Sequence, residues 1–349
     1  MRRFNFRCSL LVVLALLPIA ATAAEPLSLE NVVKPEKNRR DEPLAEKFSA
    51  KAAAHFLDTA SLDWLKRRRC FTCHTNYSYL LARPLISHKV KAHQQIRTAL
   101  EDLVQKTWPD EGPRWDAEVV MAATVLAHND AATTGKLHAA TGAALDRMWS
   151  LQRAGGGFNW LKCNWPPMES DDHYGATMAA IAVGVAPGDY AQTDKAQQGL
   201  KKLQKYFRDN PPPTAHHRAM LLWASTYTDG ILTKKQRTKT VEELLSLQGK
   251  DGGWALAALG DWKRADKKKQ DKTTSDGYGT GFVVYVLRRA GVSADDPRIE
   301  KAVVWLKKNQ RQSGRWFTRS LNKDNHHFIS HAGSAFALMA LAECGQIGK

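Results

Sequence analysis

Apolar residues follow two alternating patterns along this chain. One is amphipathic: in "DPRIEKAVVWLKKNQ" (296–310) apolar positions recur at helical spacing with charges between them. The other is apolar or small on every side, as in "DHYGATMAAIAVGVA" (172–186), "DGYGTGFVVYVLRRAGV" (276–292) and "SHAGSAFALMALAECG" (330–345). The first pattern suits a helix with one wet face, the second a helix buried all round. Traced along the sequence, the alternation predicts outer helices near 45–69, 91–106, 135–152, 192–208, 233–248 and 295–310. Each precedes an inner helix, near 76–88, 115–128, 171–186, 214–228, 275–291 and 326–345.

Three outer-to-inner junctions share one motif: "WSLQRAGGGFNW" from Trp149, "LSLQGKDGGWAL" from Leu245 and "LKKNQRQSGRWF" from Leu306. In each, Gln152, Gln248 or Gln310 ends the helical pattern, and Gly156, Gly252 or Gly314 follows four residues later. Phe158, Trp254 or Trp316 comes two residues beyond the glycine. Gln can bridge the exposed helix end, Gly permits the turn, and the aromatic ring packs the turn onto its neighbour. An open solenoid caps its ends with polar repeats, whereas the last inner segment here is apolar throughout. The expected fold is therefore all-α, an (α/α)6 toroid of six helical hairpins over residues 44–349, preceded by an extended arm at 24–43 rich in Pro, Lys and Glu.

The Gln…Gly-x-Trp turns resemble the QW repeats of squalene-hopene cyclases and other class II terpenoid cyclases, whose toroid is shared with protein prenyltransferase β subunits. The resemblance covers nearly all of residues 44–349 and implies the toroid and an apolar or isoprenoid-like ligand. In those cyclases the middle Asp of Asp-x-Asp-Asp protonates an alkene. Glu169-Ser170-Asp171-Asp172 is similar in place and spacing, with Glu for the first Asp, and would make Asp171 the proton donor beside Glu169 and Asp172. Prenyltransferase β subunits hold zinc with Asp, Cys and His. Asp276 and His331 occupy corresponding places, but Tyr278 stands where the cysteine would be, leaving the set incomplete.

The N-terminus decides which cysteine chemistry is available. Arg2, Arg3 and Arg7 precede an apolar run from Leu10 to Ala21, and Ala21-Thr22-Ala23 offers the small residues of a cleavage site. A signal peptide over 1–23 and a periplasmic or secreted location are expected, an oxidising setting for Cys70, Cys73, Cys163 and Cys344. Loss of three arginines and no acids takes the formal charge from +16 to +13. That favours an acidic membrane or cell-wall surface as partner; nucleic acid is not expected of an exported chain with scattered lysines.

One junction departs from the repeat. Aligning Trp64 with Trp305 puts Cys73 where Gly314 sits, so Cys70-Phe71-Thr72-Cys73-His74 fills the place of a packing turn. CxxCH is the attachment signature of c-type haem: two thiols form thioethers and the histidine binds iron. A Cys70–Cys73 disulfide and a metal clasp of two cysteines and a histidine are the rival readings, and Cys163 and Cys344 read as structural. His88, His93, His173, His327, His331 and Met168 are candidates for a sixth haem ligand. The starts of the inner helices should share one rim, gathering His74, Asn76, Tyr77, Trp115, Asp116, Glu118, His173, Tyr174, His216, His217, Arg218, Tyr278, His326 and His327 beside the residues already named. Trp115, Tyr174, Trp223, Tyr278 and Phe282 could line a cavity or form plain core. The chain thus carries three functional readings: a haem-bearing toroid that binds an apolar ligand, a cyclase or isomerase acting through Asp171, and a binding module without catalysis.

Overall fold

The computed structural model describes residues 25–106, 113–161, 164–167 and 171–347. The expected signal peptide, Cys163, Met168 and Glu169 lie outside the described residues. Those described hold twelve α-helices: α1 (Ala50–Arg68), α2 (Ser78–Ala82), α3 (Lys91–Lys106), α4 (Pro113–Thr133), α5 (Ala139–Ser150), α6 (Asp172–Val185), α7 (Asp194–Asp209), α8 (Ala215–Ala224), α9 (Lys234–Ser246), α10 (Gly277–Arg289), α11 (Pro297–Lys308) and α12 (Ile329–Glu343). The odd-numbered helices are the outer members and the even-numbered ones the inner members of six hairpins. Each inner helix packs on the next, α2 on α4, α4 on α6, α6 on α8, α8 on α10 and α10 on α12, and α12 returns to α2. The inner layer is a closed ring.

Hairpins 3, 5 and 6 share one turn, and its chemistry explains why the ring closes. The amide nitrogen of Gln152 donates to the carbonyl of Gly156 at 3.1 Å and to that of Gly199 in α7 at 3.1 Å. Gln248 repeats this with Gly252 (2.8 Å) and Arg298 of α11 (2.7 Å). Gln310 does so with Gly314 (3.0 Å) and Ser49, the N-cap of α1 (3.0 Å). One amide thus satisfies its own turn and ties it to the outer helix of the following hairpin. The glycines have φ of +92°, +91° and +92°. A Cβ on Gly314 would stand 2.2 Å from the Ala52 carbonyl oxygen of α1. Trp254 and Trp316 then fold back, each donating its indole N–H at 2.7 Å to a carbonyl ten residues earlier, Leu244 and Leu306.

The barrel interior is aromatic at mid-depth. Trp223, Tyr278, Phe282, Tyr285 and Phe336 meet one another edge to face or tilted, with centroids 5.3–6.3 Å apart, and all are fully buried. Tyr278, Trp223 and Phe282, read as cavity or core, are core at this level. The arm does not lie loose. Ala45 N–H donates to the Gln310 carbonyl, Leu44 forms an antiparallel bridge with Arg311, and Glu42 pairs with buried Arg315 at 2.5 Å. No described helix is long and apolar enough to cross a membrane.

Gly314 and Gly188 both have positive φ, but nothing stands within 4 Å of a Cβ on Gly188. Gly188→Ala should cost about 1 kcal/mol, the left-handed penalty alone. Gly314→Ala should cost about 3 kcal/mol, because the clash with α1 adds an overpacking cost. Denaturant unfolding of both variants measures the difference, and equal costs would mean the turn is not clamped onto α1.

Candidate functional site

The turn after α1 takes a different path from the turns it replaces. Arg69 caps α1 in the left-handed region, and a π-helical turn runs from Cys73 to Tyr77 before the short α2. The first inner segment is broken, not one helix over 76–88. Pro84 lies in a 3-10 turn at Arg83–Leu85, and its missing N–H helps end the α-helix. Among the described residues, Cys70 and Cys344 are not joined by a disulfide.

In place of the clamp onto the next outer helix, hairpin 1 leaves space. A cavity of about 610 Å³ lies between the end of α1, α3 and α4, lined by Leu65, Cys70, Phe71, Ala99, Leu103 and Trp115 among others. Cys70 and Cys73 share a second cavity of about 220 Å³ with Phe71, Tyr77, Met121 and Trp160. Cys73 and His74 share a third, of about 360 Å³, with Trp165, Leu321, His326 and Phe328. Cys73 lines both the second and the third of these cavities. The His74 ring is set by Trp64, edge-on at 4.9 Å, and by Phe328, stacked at 5.6 Å. Its Nδ1 meets the Thr75 hydroxyl at 2.8 Å, the kind of contact that orients a metal-binding histidine. Two thiols and an oriented imidazole thus stand beside largely apolar walls.

Thr75 also reaches His331 of α12, its hydroxyl 3.0 Å from Nδ1, while His331 Nε2 lies 3.2 Å from the Asn38 amide of the arm. His74 and His331 are therefore joined across the ring seam. Burial, then the neighbouring His74, Arg315 and Arg67, push His331 down to about 3. Sequence reasoning missed Thr75 and Asn38; the place of Thr75 directly after His74 was the one signal available.

The second cluster stands at the start of α6. Asp171 caps the helix, accepting from His173 N–H at 3.1 Å, and its other oxygen meets His217 Nε2 at 3.0 Å. His217 is held in turn by the Thr214 hydroxyl at 2.7 Å. Burial alone would raise the Asp171 carboxyl, but the hydrogen bond and charge of His217, with His173, hold it below its usual range. Asp172 points elsewhere and pairs with Arg153 at 2.6 Å. The described acids are thus separated by their partners, and the acidic neighbour of Asp171 in sequence is not its partner in space.

Other residues expected at the rim lie deeper. His216 is fully buried, bonded through Nδ1 to the Tyr174 hydroxyl and through Nε2 to the Tyr278 hydroxyl at 3.0 Å, and stacked on Phe282 at 4.6 Å. Asp276 caps α10 and accepts from Gly279 N–H (2.8 Å), Leu256 N–H (2.7 Å) and the Thr318 hydroxyl (3.1 Å). Burial raises it to about 6 against those bonds. No group of three His, Cys, Asp or Glu side chains among the described residues is placed to hold a metal ion. Asp116 accepts from Asn159, Asn76 donates to the Ser61 carbonyl, and Arg218 forks onto Glu243.

The buried histidines set the acid limb of stability. Burial lowers His128 and His173 to about 4 and His331 to about 3, and takes His216 well below its ordinary value. Each is neutral when folded and takes up a proton on unfolding below about pH 6.5. Stability should therefore be full above that pH and fall as pH drops toward 4, by up to the order of 3 kcal/mol per histidine. Asp276 acts oppositely between about pH 4 and 6, since there the folded state holds its proton. Four groups outweigh one, so the net slope should be positive. Denaturant unfolding from pH 4 to 7 checks it, and His173→Gln should flatten the slope.

No protein-family model matches the chain, and no curated protein matches it. Solved structures do. A glycosidase aligns with a TM-score of 0.58 at 8% identity, over 85% of this chain and 97% of that one. A polysaccharide lyase aligns with a TM-score of 0.53 at 11% identity, over 84% and 97%. The type II terpene cyclase MstE from Scytonema, in its apo form, aligns with a TM-score of 0.52 at 11% identity, over 84% and 97%. At these identities the likeness is one of fold, and it places the chain among the α/α toroids.

Proposed function

We propose that this chain is an exported α/α toroid that carries a covalent c-type haem, held by thioethers at Cys70 and Cys73 with His74 as an iron ligand. The reading rests on the first turn. Where hairpins 3, 5 and 6 close the gap to the next outer helix with Gln and Gly, hairpin 1 presents Cys70 to a 610 Å³ cavity. When bound, the haem supplies a one-electron redox centre. The chain's own residues do the rest: Thr75 orients His74, Trp64 and Phe328 fix its ring, and Leu65, Phe71 and Trp160 exclude water. An apolar or isoprenoid-like molecule, expected in the barrel, would have to lie toward its mouth, since aromatic side chains occupy the barrel at mid-depth. The basic exterior would favour an acidic membrane or cell-wall surface.

A second reading is supported by the contact between Asp171 and His217. His217 holds Asp171 as the carboxylate, so in this reading the pair must first take up a proton from solvent, and the protonated Asp171 would then be a strong acid toward an alkene. In this reading the chain is a cyclase or isomerase, and Thr214 positions His217.

Exported from a host that matures c-type cytochromes, the protein should be red, with a Soret band that stays with the chain under acid extraction. Cys70→Ala with Cys73→Ala should abolish attachment, and His74→Ala should keep it while shifting the spectrum. Colourless protein whose intact mass lacks two hydrogens at these cysteines would mean a disulfide turn and end the haem reading. For the second reading, Asp171→Asn should cut turnover of a polyprene by at least about 100-fold with binding retained; unchanged turnover would exclude Asp171 as the donor.

A further inference from the structure

A polar cavity of about 600 Å³ lies on the same face, between the turn of hairpin 5, the stretch before α10, hairpin 6 and the arm. Its charges are divided by element. The arm and hairpin 6 bring Arg40 and Arg311, and hairpin 5 brings Asp251, Asp271 and Asp276. Arg319 is already paired with Asp324, at 2.7 and 2.8 Å.

Arg40 and Arg311 lack an acidic partner among the described residues. Arg311 gives one terminal nitrogen to the Glu42 carbonyl at 2.8 Å, while its Nε is buried with no acceptor. The nearby acids are engaged elsewhere, Glu42 with Arg315 and Ser313 N–H, and Asp41 with Arg39. Burial, and then Arg315 and Arg40 against the pull of Glu42, hold Arg311 below its ordinary pKa. A guanidinium with no carboxylate partner is stabilised by an oxyanion that accepts from its terminal nitrogens.

The carboxylates restrict what else the ligand carries. Asp251 accepts from the Ser275 hydroxyl and the Trp305 indole, and Asp271 from Thr273 and Thr274, so these acids are fixed acceptors. They would repel a second anionic group and receive hydroxyl donors. We infer that this cavity binds a polyhydroxylated oxyanion, a sugar acid or sugar phosphate, with its anionic group at Arg40 and Arg311 and its hydroxyls toward Asp251, Asp271 and Asp276. The site is separate from Cys70, Cys73 and His74, which do not line it.

Calorimetric titration of the full exported chain with glucuronate and with glucose 6-phosphate tests the assignment, with glucose and inorganic phosphate as controls. Either acid should bind, and Arg311→Gln and Arg40→Gln should each weaken binding about tenfold or more. His74→Ala should leave it unchanged. Glucose or inorganic phosphate binding as well as the sugar acids would overturn the proposal, as would full affinity in Arg311→Gln or no binding of either acid. Arg40 is exposed on the arm, so its variant gives the answer should Arg311→Gln fail to fold.

Discussion

Everything in this fold depends on the side-chain amide of Gln310. Its nitrogen donates to the carbonyls of Gly314 and Ser49, and its oxygen accepts from Ser49 N–H at 2.7 Å. Ser49 is the residue whose hydroxyl caps α1. The last turn of the ring and the start of its first helix are therefore secured by the same few atoms. A ring of hairpins has no terminal repeat to protect, but it must pay the chain entropy of bringing residues 49 and 310 together. Burying these bonds, with Gln310 only 1% exposed, protects them from competition with water. The pair of Glu42 with Arg315 and the bridge of Leu44 with Arg311 extend the same seam outward.

The seam also places the chemistry. Hairpins 1 and 6 meet there, so the CxxCH turn faces α12, and Thr75 touches both His74, its neighbour in sequence, and His331, 256 positions away. The rim is rich in histidine without being strongly cationic. Hydroxyls and amides hold most of the imidazoles: Thr75 for His74 and His331, Asn38 for His331, and Tyr174 and Tyr278 for His216. Neutral partners do little to offset the desolvation of a charged ring, so burial keeps His331 and His216 unprotonated. His217 differs in its partner, meeting the Asp171 carboxylate at 3.0 Å.

The fold was legible because its turn chemistry repeats in register. Gln, then Gly four residues on, then an aromatic, is a demanding spacing, and the bonds of Gln152, Gln248 and Gln310 show what it encodes. The two layers followed from the alternation of amphipathic and wholly apolar helices, and closure of the ring from a last inner segment that is apolar where an open solenoid would carry a polar cap. The site was legible only as a list of rim candidates. No local pattern announces that Asp171 will meet His217, 46 positions away, or that Tyr278 will reach His216, 62 positions away. Tyr174, His216 and Tyr278 were placed at the rim by their position in sequence, yet their side chains turn into the barrel. Nor does the sequence announce that Asp276 will accept from the N–H groups of Gly279 and Leu256 and from the Thr318 hydroxyl.

The segment from Phe317 to Phe328 couples what the sequence would keep apart. Leu321 lines both the cavity of Cys73 and His74 and the polar cavity of Arg40 and Arg311. His327 faces the polar side, its Nδ1 fixed by Ser320 N–H at 3.0 Å, while His326 and Phe328 face the other, stacked on each other at 5.2 Å. Phe328 in turn stacks on His74. A shift of this wall toward either cavity would move the ring that orients His74, because densely packed aromatic contacts transmit displacement instead of absorbing it. The two cavities are thus chemically distinct and mechanically adjacent, and the wall between them is built from the later part of the loop that joins α11 to α12.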